Sequence, residues 1–179
     1  MAASLEHKRP ARRSVRLHGF DYAQTGRYFI TICAFEKLCL FGRIENEMFV
    51  PSPLGSIARR CWLAIPSHFS HVLTDAFVIM PNHMHGILLI TGGHGNAVPL
   101  QGLQREAFQA PVSGSIPTIV RSFKAAATRD ARVYVKQPDL KLWQRGYFER
   151  VLRNDKEFSY AARYVLENPQ RWHLDQLHR

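Results

Sequence analysis

Residues 73–90 read Leu73-Thr74-Asp75-Ala76-Phe77-Val78-Ile79-Met80-Pro81-Asn82-His83-Met84-His85-Gly86-Ile87-Leu88-Leu89-Ile90. Two apolar, β-branched runs, 73–80 and 84–90, flank the turn-forming pair Pro81-Asn82. The pattern predicts two strands joined at that pair. The second is apolar through Gly86-Ile87-Leu88-Leu89-Ile90, as expected of a strand inside a sheet rather than at its edge.

Working outward toward the N-terminus, Tyr28-Phe29-Ile30-Thr31-Ile32-Cys33 is β-branched and aromatic and reads as a first buried strand. Short strands around Arg43-Ile44 and Met48-Phe49-Val50 are expected about a turn at Asn46. Pro53 opens a helix to about Pro66, with Leu54, Ile57, Ala58, Cys61 and Trp62 at helical spacing. Toward the C-terminus, Ile116, Ile119, Val120, Phe123 and Ala127 form the core face of a helix over 116–133, and Arg121, Lys124 and Arg132 fall on another face. An extended stretch follows over 147–153. Asn154 caps a last helix, with Glu157 at the capping-box position, and the helix stops before Asn168-Pro169. This order of elements suits an α+β sandwich, helices packed on an antiparallel sheet. Residues 1–16 read as a basic flexible arm, 17–179 as one domain, and 91–115 as a mobile loop within it.

Composition narrows the functional classes. The chain has 179 residues, 46% of them apolar, which is enough for one domain with a real core. No apolar run reaches the ~18 residues of a membrane span, and the basic N-terminus lacks the apolar stretch of a secretory signal. The three cysteines (Cys33, Cys39 and Cys61) form no CxxC spacing, so a disulfide scaffold is not expected and a reducing cytoplasm suits them. Lys+Arg 24 against Asp+Glu 14 leaves +10, the balance of a protein with a polyanionic partner. The excess is concentrated: residues 121–153 hold nine Lys/Arg and three acids. Arg121, Lys124, Arg129 and Arg132 are the candidate phosphate contacts, although a solvated helix face would look the same.

Chemistry is written into two places. Residues i and i+2 of a strand share a face, so His83 and His85 can aim two imidazoles at one ion while Met84 faces the core. Imidazole pairs suit Zn, Mn, Fe or Ni, and a further carboxylate, amide or water ligand would tolerate Mg²⁺ or Mn²⁺. On the last helix, Phe158, Ala161, Ala162 and Val165 cluster on one side. Tyr160, Tyr164 and Asn168, each four residues apart, share another. A phenol is a competent nucleophile for phosphoryl transfer once a base or cation favours the phenolate, whose unperturbed pKa is ~10.

Three stretches, Met80 to His85, Leu142-Trp143-Gln144-Arg145-Gly146-Tyr147-Phe148-Glu149 and Arg163-Tyr164-Val165-Leu166-Glu167-Asn168-Pro169, together resemble the REP-associated tyrosine transposases of the single-tyrosine HUH superfamily. Gly26-Arg27-Tyr28-Phe29-Ile30-Thr31 and Leu40-Phe41-Gly42 resemble the family's opening strand, so the likeness spans roughly residues 14–172. The resemblance implies a ferredoxin-like fold and a metal-dependent transposase that nicks and rejoins single-stranded or hairpin DNA through a 5′-phosphotyrosine. It implies His83, His85 and Asn168 as ligands of a divalent metal, Mg²⁺ or Mn²⁺, and Tyr164 as the nucleophile. It further implies a bacterial protein of the cytoplasm, nucleoid-associated when bound, acting as monomer or homodimer.

Other readings have sequence-level tests. A histidine-triad hydrolase needs a third histidine where Ile87 stands, and a structural zinc module needs a closed four-ligand site. A catalytically silent, domesticated hairpin-binding protein remains open, since intact His83, His85 and Tyr164 do not by themselves prove turnover.

Overall fold

The β-branched runs pair as their spacing predicts. In the computed structural model, which describes residues 22–92, 112–175 and 177, β4 (Val72–Met80) and β5 (His83–Ile90) form a tight antiparallel hairpin. Strand β1 (Gly26–Cys33) pairs antiparallel with both β5 and β6 (Phe148–Leu152), so the sheet order is β4-β5-β1-β6. The two central strands, β5 and β1, are accordingly more buried than β4. With helix α1 (Pro53–Leu63) between β1 and β4, and α3 (Ile116–Val135) between β5 and β6, the connectivity is that of a ferredoxin-like α+β fold. The basic arm over 1–16 and most of the loop over 91–115 lie outside the described residues.

The small second sheet, β2 (Gly42–Glu45) with β3 (Met48–Pro51), turns at Asn46 and Glu47, both left-handed at φ 50 and 62. Two positive φ values in a two-residue loop match the right-handed twist of a hairpin. The helix expected from Pro53 to Pro66 ends earlier, at Leu63, and a separate turn α2 (Ile65–His68) follows. Pro66 has no N–H to continue the ladder, so the chain restarts there. Helix α3 runs two residues past its expected end, to Val135, and Lys136 caps it in left-handed conformation at φ 57. Among the described residues, no helix is long and apolar enough to cross a membrane.

The period of two along the central strands sorts the side chains onto two faces. Tyr28, Ile30 and Ile32 of β1, with Met84, Leu88 and Ile90 of β5, pack against Trp62 of α1 and Ile119 and Phe123 of α3. Phe29, Ile87 and Leu89 face the other way, onto Ala161, Phe158 and Ala162 of α4 (Asp155–Glu167). Helix α4 starts as its sequence predicts: Asn154 Oδ1 accepts the Glu157 N–H at 2.9 Å, and Glu157 Oε2 accepts the Arg153 N–H at 3.2 Å. The sheet is thus covered on both faces, and both histidines of β5 point under α4.

Candidate metal centre and tyrosine site

The site grows from the β1–β5 register. Thr31 sits opposite His85 and Cys33 opposite His83, all on the α4 face. Thr31 Oγ1 lies 2.8 Å from His85 Nδ1, and Asn82 Oδ1 lies 2.8 Å from His83 Nδ1. Asn82 is itself oriented, its Nδ2 donating to Leu177 O at 2.7 Å. Its oxygen therefore receives the Nδ1–H of His83 and leaves Nε2 as a bare lone pair, the arrangement by which second partners set the tautomer of metal-binding histidines. The two Nε2 atoms converge to 3.1 Å.

A third donor arrives from beyond α4. After Asn168, a 3-10 turn over Pro169–Leu174 folds back across the sheet end, stacking Trp172 near His83 with ring centroids 5.9 Å apart. Asp175 follows. Its Oδ1 accepts the Leu177 N–H, and its Oδ2 stands 3.6 Å from His83 Nε2. The ligand atoms of His83, His85 and Asp175 all lie within 4.8 Å of one another. An ion with ~2.1 Å bonds separates neighbouring donors by roughly 3.0–3.4 Å, so the spacing of these atoms is close to that of a coordination shell.

Burial and charge favour the same use. His83 is fully buried and His85 is 4% exposed. Burial, with the positive charge of Lys37, lowers His83 from its usual 6.5 to about 4. Burial, with the neighbouring His83, lowers His85 to about 3. Both rings are therefore neutral at physiological pH, as ligands must be. Two buried oxygens near them, Asp175 Oδ2 and Asn168 Oδ1, make no hydrogen bond among the described residues. Buried acceptors left without donors are costly in water-excluded surroundings, and a cation relieves that cost. The residues present fit a divalent metal.

Tyr164 completes the constellation. Its hydroxyl lies 3.5 Å from His85 Nε2, and its ring meets Phe29 and His85 edge-on. It is 37% exposed, open to a substrate on one side. Burial, then the charge of Asp175, raises its pKa, while the Asn168 amide within hydrogen-bonding reach favours the phenolate. Without a nearby cation the phenol stays protonated.

Of the residues singled out in the sequence, His83, His85, Tyr164 and Asn168 come together here. Arg121, Lys124, Arg129 and Arg132 do not: they line an open groove of about 1050 Å³ between α3 and residues 138–145. Their environments differ. Lys124 Nζ donates to Gln144 O at 2.7 Å and Gly146 O at 2.9 Å, and burial lowers its pKa to about 8. Arg132 Nε donates to Leu140 O at 3.0 Å. These two brace the 140–146 segment. Arg129 bonds Asp130, which also holds Arg60, whereas Arg121 is exposed on the groove wall beside Arg145. Sequence reasoning missed Asp175, Thr31 and the orienting role of Asn82. Asn82 stood within a recognised motif, whereas nothing in the pattern of residues 169–175 marks Asp175.

An uncharacterized protein of Haemophilus influenzae (strain Rd) is 42% identical over 170 residues, covering 93% of each chain. The chain matches no protein-family model. Among solved structures, a REP-associated tyrosine transposase bound to a REP hairpin superposes with a TM-score of 0.57 at 16% identity, over 89% of this chain and 73% of that one. This chain therefore belongs to one family with the Haemophilus influenzae protein, and its fold is that of the REP-associated tyrosine transposases, the family its motifs resemble.

Proposed function

We propose that the protein is a metal-dependent DNA strand transferase that nicks and rejoins single-stranded or hairpin DNA of the REP type. The observation that carries this reading is the meeting of four groups at one point under α4: two neutral imidazole Nε2 atoms, a buried carboxylate oxygen and a tyrosine hydroxyl. The similar solved protein is bound to a REP hairpin, which supports DNA as the partner here.

His83, His85 and Asp175 would hold the ion, with Asn168 Oδ1 available beside them. A bound divalent cation would polarise the scissile phosphate and favour the phenolate over the phenol. Tyr164 Oη attacks phosphorus, the Oη–P bond forms, and the P–O3′ bond breaks. The phenol's proton passes to solvent, and the departing 3′ oxygen takes a proton from solvent. The products are a 5′-phosphotyrosine and a free 3′-OH. A second 3′-OH attacking the phosphotyrosine reverses these steps and joins strands. The phosphodiester energy stays in the tyrosyl ester, so no nucleotide cofactor is needed. Thr31 and Asn82 keep both imidazoles in the ligating orientation, and the basic groove holds flanking phosphates.

The test uses end-labelled hairpin oligonucleotides drawn from repeats flanking the gene, with Mn²⁺, Mg²⁺ or EDTA, read on denaturing gels. Wild type is expected to give a metal-dependent, protease-sensitive covalent band. Tyr164→Phe is expected to lose it while binding the hairpin within about threefold of wild type. A covalent band from Tyr164→Phe would remove Tyr164 as nucleophile. Tight binding with no band from wild type would favour the catalytically silent hairpin-binding protein.

A further inference from the structure

The cover that α4 gives the sheet stops short of one corner. Phe148, Arg150 and Leu152 of the edge strand β6 stand opposite Thr31, Phe29 and Arg27 of β1, so all three side chains lie on the α4 face. Leu152 is buried with Ala161 and Phe158 of α4. Phe148, on the same face of the same strand, is 43% exposed and joins neither apolar cluster among the described residues. The cause is the path of the helix. It starts directly after β6 and crosses toward β5, where Tyr164 reaches His85, and the corner at Phe148 is left bare.

That corner is level with the site. Thr31 stands opposite His85 on one side and Phe148 on the other, so the three form one row across β5, β1 and β6. Strands lie ~4.8 Å apart, which sets Phe148 about 10 Å from His85 along the row. This is comparable with the reach of one nucleotide from its phosphate to its base. Tyr164 borders the same area, its ring edge-on to Phe29 with centroids 6.2 Å apart, and Phe29 is the neighbour of Thr31 on that face. Beside Phe148, Arg150 is exposed, with a loose 3.6 Å pairing to Glu157. An open aromatic ring next to a cation is the pairing that holds single-stranded nucleic acid, the ring taking a base and the cation the backbone. A paired base has both its faces covered within the stack, so only an unpaired one can use such a ring.

We propose that Phe148 is a base-stacking residue of the strand-transfer site, its ring receiving the unpaired base of a nucleotide that adjoins the scissile phosphodiester, with Arg150 facing the backbone of that strand. The ring takes part in no bond change. Its contribution is to hold the strand so that phosphorus stands in line with Tyr164 Oη. Stacking accepts any base, so Phe148 fixes the position of the strand rather than its sequence. The inference rests on Tyr164 as the nucleophile.

The experiment compares full-length wild type, Phe148→Leu and Phe148→Tyr with Mn²⁺ at subsaturating protein, measuring the rate of covalent adduct formation. The substrates are the ordinary hairpin oligonucleotide, whose labelled product locates the scissile phosphate, and two abasic forms lacking the base on its 5′ or its 3′ side. Wild type is expected to lose roughly 10-fold on one abasic form and little on the other. Phe148→Leu is expected to lose about as much on the ordinary substrate and nothing further on that abasic form, while Phe148→Tyr stays near wild type. Melting temperature and Mn²⁺ affinity are expected to hold in both variants, because the ring is exposed. Three results overturn the inference alone: an adduct rate in Phe148→Leu within twofold of wild type, an abasic penalty as large in Phe148→Leu as in wild type, or no penalty in wild type on either abasic form. A wild type that forms no adduct at Tyr164 overturns both this and the strand-transferase reading.

Discussion

At the scale of single residues, the centre depends on which nitrogen of each imidazole is bare. Asn82 and Thr31 hold the two Nδ1 atoms, and the Nε2 atoms are turned inward as a consequence. Burial then keeps the rings neutral. This has a measurable cost in protein stripped of metal. As pH falls below about 6.5 the unfolded chain takes up protons on both rings, while the folded chain leaves His83 neutral down to about 4 and His85 down to about 3. The unfolded state binds more protons across that window, so stability falls with falling pH, by up to ~1.4 kcal/mol per pH unit per ring. Urea unfolding in EDTA from pH 7.5 to 4 is expected to show this decline, and saturating Mn²⁺ at pH 7 is expected to raise the melting temperature. A flat profile between pH 6.5 and 4 would contradict neutral burial of the pair.

At the scale of elements, β5 is shaped by opposite demands on its two faces. His83 and His85 must reach the α4 side, while Gly86 lets Trp62 of α1 lie flat against the strand from the other side. A Cβ at Gly86 would meet Trp62 Cζ2 at 2.4 Å, with Cε2 and Cη2 at 3.0 Å. Gly86→Ala is therefore expected to destabilise the fold by ~1–3 kcal/mol through overpacking, and to disturb the histidine face next to it. Denaturant titration reads the first effect and Mn²⁺ titration the second; a midpoint equal to wild type would show that Trp62 can move aside. The same strand shows what was legible in sequence. Its period of two put both histidines on one face, and the 3.6 period of α4 put Tyr164 and Asn168 together. Neither period says that the two faces meet. Asp175 lies outside both patterns, carried in by a short 3-10 turn whose return direction is set by docking on His83 and Asn82.

At the scale of the whole molecule, the two functional surfaces are joined by main chain. Residues 142–144 pair with the continuation of β1: Trp143 bridges Ala34, the Phe35 N–H donates to Leu142 O at 3.0 Å, and the Gln144 N–H donates to Cys33 O at 2.9 Å. The wall of the basic groove thus begins where β1 leaves the donor cluster. If DNA flanking the scissile phosphate follows this groove, exposed cations should carry its salt dependence and braced ones its shape. Arg121→Ala with Arg145→Ala is expected to lower the slope of log affinity against log salt by about 0.7 per lost contact on a single strand, leaving the melting temperature near wild type. An unchanged slope, measured by titration at several salt concentrations, would move the DNA path off this groove.

Element order, the buried central strands, the caps of α4 and the facing of His83, His85 and Tyr164 are legible in the sequence, because they follow from local periods and from backbone groups satisfied within a few residues. Two features come from tertiary packing alone. The β1–β5 register brings Thr31 to His85, and the terminal turn delivers Asp175. Each joins residues far apart in the chain through packing and hydrogen bonds that no local pattern encodes. For the same reason the four predicted DNA contacts separate into exposed cations and braces: the carbonyls that Lys124 and Arg132 hold belong to a segment folded against α3.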